Sequence, residues 1–90
     1  MNVFIISYDL GTKDASRYDQ LIGKIKSYQN NICLGESSYL IETDETSLSV
    51  RDALRDFLVD GDKLYVGRVT SPAAWYGLSD LTSKWIKDHL

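Results

Sequence analysis

The chain is poor in the residues that most often build a catalytic or covalent centre. It has one cysteine, one histidine, one proline and one methionine in 90 residues. A lone Cys33 excludes an intrachain disulfide and a cysteine-based zinc site, and it fits a reducing compartment such as the cytoplasm. A cationic surplus is also missing. Ten Lys and Arg stand against 13 Asp and Glu, for a net charge of -3, the wrong sign for coating nucleic acid by bulk electrostatics. No apolar run is long enough to cross a membrane, and the start Met1-Asn2-Val3-Phe4 has no basic leader. These absences lead us to expect a soluble intracellular protein. No internal repeat, low-complexity tract or long linker interrupts the chain.

What is present is one small core. Hydrophobic residues make up 43% of the sequence and aromatics 11%, enough for a single domain over 1–90 and too little for two. Asn2 to Asp9 reads as a strand apolar on both faces, hence central in a sheet, that stops on a carboxylate. Asp14 to Arg17 opens a helix, and Tyr18, Leu21, Ile22, Ile25 and Tyr28 fall at helical spacing, with Asn30-Asn31 as its end. Ile32 to Leu34 and Ser38 to Thr43 read as a hairpin around Gly35-Glu36-Ser37. A second helix starts among Asp44 to Ser47, and Val50, Ala53, Leu54, Phe57 and Leu58 form its stripe. Asp60-Gly61-Asp62 turns the chain into a strand from Lys63 to Thr70.

The order strand, helix, strand, strand, helix, strand, with right-handed crossovers, predicts an α+β fold: a ferredoxin-like βαββαβ sandwich with both helices on one face. Residues 1–70 form this core. Pro72 breaks the chain, and 71–90 is an aromatic extension with a third helix from Ser79 to His89.

Asp9, at the carboxyl edge of the first strand, is the first candidate for chemistry, since α/β sheets often place ligands there. Two readings stay open: a ligand for a hard divalent cation, or a cap for backbone amides of the Leu10 to Lys13 loop. Ser7, Tyr8, Thr12 and Ser37 or Ser38 are its polar neighbours in this topology, and no general base is evident. His89 reads as a frayed, exposed helix-end side chain. Lys13 and Arg17 are candidate phosphate ligands beside the first helix's start, against a solvated charged face. Arg68 is an edge-strand surface residue or a paired charge. Tyr39 and Tyr65 are placed on the exposed sheet face, where core or dimer packing is preferred over base stacking. Trp75, Tyr76 and Trp85 either cover the sheet or form an oligomer interface.

Ile6-Ser7-Tyr8-Asp9-Leu10, the following helix with Arg17 and Lys24, and Glu36-Ser37-Ser38-Tyr39-Leu40-Ile41 together resemble the CRISPR-associated protein two family. The branch often labelled SinR-like is similar over almost the whole length, including Ala73-Ala74-Trp75-Tyr76-Gly77-Leu78-Ser79-Asp80. The virulence-associated protein D ribonucleases are more distant in resemblance. The resemblance implies a cytoplasmic homodimer and, in some members, metal-dependent cleavage of RNA or DNA. Asp9 would then face its symmetry mate and help hold magnesium or manganese, with Ser37 or Ser38 in support. It equally implies a catalytically inactive scaffold that engages a protein partner. A small-ligand regulatory domain on the same fold is a third class. The family's usual ending, a short fifth strand pairing with the partner subunit, is replaced here by the aromatic helical segment.

Overall fold

A computed structural model describes residues 1–12 and 14–90. Its elements run β1 (Asn2–Asp9), α1 (Ala15–Lys26), β2 (Asn30–Gly35), β3 (Ser38–Thr43), α2 (Ser47–Arg55), β4 (Lys63–Val69) and α3 (Asp80–His89). The four strands form one antiparallel sheet in the order β2-β3-β1-β4. This is the ferredoxin-like βαββαβ arrangement with an added C-terminal helix. Asn30-Asn31 open β2 instead of ending the first helix, which stops at Lys26; the Asn31 side-chain amide donates to the Tyr28 and Lys26 carbonyls at 2.9 and 3.3 Å.

Each helix begins on a side chain that accepts an otherwise unpaired amide. Asp14 Oδ1 takes the Ser16 N–H at 2.9 Å, Thr46 Oγ1 that of Ser49 at 3.1 Å, and Ser79 Oγ that of Thr82 at 3.1 Å. Such caps contribute about 1 kcal/mol each.

Alternation along β1 divides the residues between two faces. Phe4, Ile6 and Tyr8 point inward and join Ile41, Leu21 and Ile25 of α1, and Val50 and Leu54 of α2, in the main core. Val3 and Ile5 point the other way and meet Leu40, Trp85 and Ile86 in a second cluster under α3. Burying a Leu or Ile side chain contributes about 1.5–3 kcal/mol, so both faces are held by the same force.

The strand register sorts the outer face into rows. Val69, Val3, Glu42 and Asn30 form one row, and Gly67, Ile5, Leu40 and Ile32 the next. α3 packs over these two. Beyond it come Tyr65, Ser7 and Ser38, and then Lys63 and Asp9. The apolar half of the outer face is covered and the polar half is open. Among the described residues no helix is long and apolar enough to cross a membrane.

Candidate functional site

The open half of the outer face lies where three connections meet. β1 ends there, β4 begins, and the β2–β3 turn returns, its Ser37 carbonyl accepting the Tyr8 N–H at 3.1 Å. Ser7 and Asp9 are exposed. They line, with Tyr8, Lys63, Leu64 and Tyr65, a depression of about 230 Å³. A larger hollow of about 300 Å³, lined by Ser71, Pro72, Trp75, Ile86 and Lys87 among others, lies beside α3 and has no Asp or Glu side chain among its described lining residues.

Cross-strand partners leave a sheet on the same side, so Lys63, opposite Asp9 in the register, puts its side chain on the same face and lines the same depression. Ser7 stands between Ser38 on β3 and Tyr65 on β4. The site therefore offers a carboxylate, an ammonium, two hydroxyls and an aromatic ring. Ser37 borders it through its backbone. Its oxygen donors suit a hard cation in kind but fall short in number, because among the described residues no three His, Cys, Asp or Glu side chains group to hold a metal ion.

The cationic candidates are divided. Lys13 lies outside the described residues. Arg17 is part-buried and engaged: its Nη2 donates to Asp62 Oδ2, and its Nη1 donates to Thr12 Oγ1 at 2.8 Å. Asp62, whose side chain is only 1% exposed, also accepts the Gly11 N–H at 2.8 Å and the Val59 N–H at 2.9 Å. Arg17, aided by those two amides, holds the Asp62 carboxyl down to about 2. Gly61, with φ of 91°, makes the turn that delivers Asp62, at a backbone angle other residues rarely adopt. Arg17 is thus tied into a clasp between the β1–α1 and α2–β4 connections. Arg68 is an exposed residue of the edge strand, and Cys33 is exposed on the opposite edge.

Of the two tyrosines that the sequence assigns to the exposed sheet face, Tyr65 lies there, and Tyr39 takes the core packing preferred over base stacking. Tyr39 is 6% exposed in the main core, whereas Tyr65 is 65% exposed. Positions 39 and 65 have opposite parity relative to β1: Tyr39 pairs with Ile6 and Tyr65 with Ser7. His89 is not a frayed end. It stacks on Trp85 with ring centroids 4.0 Å apart, bonds the Trp85 carbonyl through Nδ1 at 2.7 Å, and brings Nε2 within 4.0 Å of Glu42 Oε1. The i, i+4 spacing from Trp85 to His89 was the available signal.

The two roles weighed for the aromatic tail are shared out. Trp85 covers the sheet, Trp75 donates its indole N–H to Ser83 Oγ at 3.0 Å, and Tyr76 is fully exposed. Lys63 and Asp62 were missed as site residues because their partners, Asp9 and Arg17, are distant in the chain.

The fold and this open patch define a small ferredoxin-like α+β protein with one polar end on its outer sheet face. No protein-family profile matches the chain, and no curated protein matches it. Among solved structures it is similar to the crystal structure of the hypothetical protein TT1823 from Thermus thermophilus, at 26% identity and a TM-score of 0.66, over 86% of this chain and 92% of that one.

Proposed function

We propose that the chain is a CRISPR-associated protein two-like subunit of a cytoplasmic homodimer, with divalent-metal-dependent endonuclease activity toward RNA or DNA centred on Asp9. What supports this reading is the exposed Asp9 carboxylate ending the central strand, beside the Ser7 hydroxyl at the rim of an open depression. One carboxylate per subunit makes a site only when a second Asp9 faces it across a two-fold axis. The paired carboxylates would hold magnesium or manganese, which when bound supplies an acidified water and neutralises phosphate charge. The Ser7 and Ser38 hydroxyls would donate to phosphate oxygens, and Lys63, on the same face opposite Asp9 in the register, adds positive charge to the patch.

A second reading, a catalytically inactive dimeric scaffold that binds a protein partner, is favoured by Lys63. A lysine on the same face, opposite Asp9 in the register, sets positive charge against a bound cation. Incubating the protein with labelled single-stranded RNA and duplex DNA, with magnesium, manganese or chelator, separates the two. The nuclease reading expects metal-dependent cleavage that Asp9→Asn abolishes. Cleavage by Asp9→Asn at the wild-type rate would overturn it. An intact dimer by light scattering with no cleavage and no metal uptake would support the scaffold.

A further inference from the structure

We infer that Tyr65 is a stacking platform for a single unpaired nucleobase, held in position by Gly67; this rests on the nucleic-acid reading of the Asp9 patch and names what that patch recognises. A Cβ built on Gly67 would stand 2.6 Å from Tyr65 Cε2, 2.7 Å from its hydroxyl and 2.9 Å from Cζ. The hydroxyl end of the ring therefore lies over the Gly67 backbone, in space that any other residue would fill. Despite this contact Tyr65 is 65% exposed. A large aromatic ring laid on the sheet rather than standing off it loses part of its rotational freedom before any ligand arrives, which lowers the cost of binding.

The surroundings select the ligand. Tyr65 borders the depression shared with Ser7, Asp9 and Lys63, so a base on the ring carries its sugar-phosphate toward two hydroxyls and one ammonium. Asp9 and Lys63 are opposite in charge and in register, Arg17 is engaged by Asp62, and the chain carries a net charge of -3. Affinity must come from the π-face, with Lys63 the one cation that lines the depression among the described residues. A base in a duplex is stacked on both faces and is not presented to a side ring, so the ligand is an unpaired base, in a single strand or a free nucleotide.

The test is fluorescence anisotropy in chelator, which excludes metal-dependent cleavage and so separates this proposal from the activity of Asp9. The probes are a short single-stranded oligothymidylate, a duplex of equal length and, as competitor, thymidine monophosphate. Single strand should bind in preference to duplex, with a logarithmic salt slope of about -0.7, as for one phosphate contact. Tyr65→Ala should weaken it about fivefold or more, the scale of one lost base stack, while Tyr65→Phe should bind like the wild type. Gly67→Ala should reproduce the loss with Tyr65 still present, because the new methyl takes the space of the ring's hydroxyl end and forces the whole ring off the Gly67 backbone. Competition by the monophosphate at equal affinity assigns the site to a nucleotide, and weaker competition assigns it to a strand; either supports the platform. Equal binding of duplex and single strand, no binding of either, or wild-type affinity in both Tyr65→Ala and Gly67→Ala would overturn it, whatever the cleavage assay shows.

Discussion

Asp62 clasps Arg17 between two loops that are far apart in the chain, and its two carboxylate oxygens also accept the Gly11 and Val59 amides. The clasp fixes the end of the sheet where Asp9 sits. It also removes from phosphate binding the guanidinium that lies closest to Asp9 in the sequence.

Asp62 makes the fold sensitive to acid. Its pKa falls from the usual 3.8 to about 2, chiefly because Arg17 bonds to it. A lowered pKa contributes stability that is fully present above the unfolded value and is lost as pH falls through the folded one. The melting temperature of the wild type should therefore drop between about pH 4 and pH 2 more steeply than that of Asp62→Asn. Asp62→Asn should melt several degrees lower at pH 7. Calorimetry across this range checks both, and superimposable acid limbs would refute the assignment.

Tyr8 is expected to give the opposite sign. Its hydroxyl is buried with no hydrogen-bond partner among the described residues, and burial, with Tyr39 and Cys33 nearby, pushes its pKa up to about 12. A buried hydroxyl without a partner costs about 1–3 kcal/mol. Tyr8→Phe should then raise stability by about 1 kcal/mol in urea denaturation at pH 7. A raised phenol pKa also means that stability present below pH 10 is lost between pH 10 and 12, a loss the Phe variant should reduce.

Leu54 lies on α2 and is fully buried against the sheet. Leu54→Ala should cost about 2–5 kcal/mol, the usual range for a buried leucine that leaves a cavity. Urea unfolding should show this as a lower midpoint with an unchanged slope.

Ile86 anchors α3 on Val3 and Leu40, at 4% exposure. Ile86→Ala should lose amide protection throughout Asp80–His89 in hydrogen exchange while β1 and β3 stay protected, because the main core with α1 and α2 lies on the other side of the sheet. Loss of protection in both regions together would show that α3 is part of one cooperative unit.

Most of the fold could be read along the chain because it depends on local periodicity. The stripe Leu21, Ile25 and the stripe Val50, Leu54 declare amphipathic helices, and Asp14, Thr46 and Ser79 mark their starts through local side-chain chemistry. Asn30-Asn31 misled as a helix end because Asn caps and Asn in an edge strand look alike until the neighbouring strand is placed. The site was less legible. Asp9 stood out as a carboxylate ending a buried strand, but its neighbours are set by cross-strand register, which a single residue's slip would reverse.

The sequence by itself determined that this is one acidic domain, strand and helix in a fixed order, with a carboxylate at the end of its central strand and a separate aromatic tail. Tertiary structure alone decided which groups meet. It placed Lys63 opposite Asp9, gave Arg17 to Asp62, turned Tyr39 into the core and Tyr65 over Gly67 to solvent, and spread α3 across half of the outer face. Periodicity is a property of neighbours along the chain, while register and loop contacts join residues dozens of positions apart, so only the folded sheet brings them into one patch.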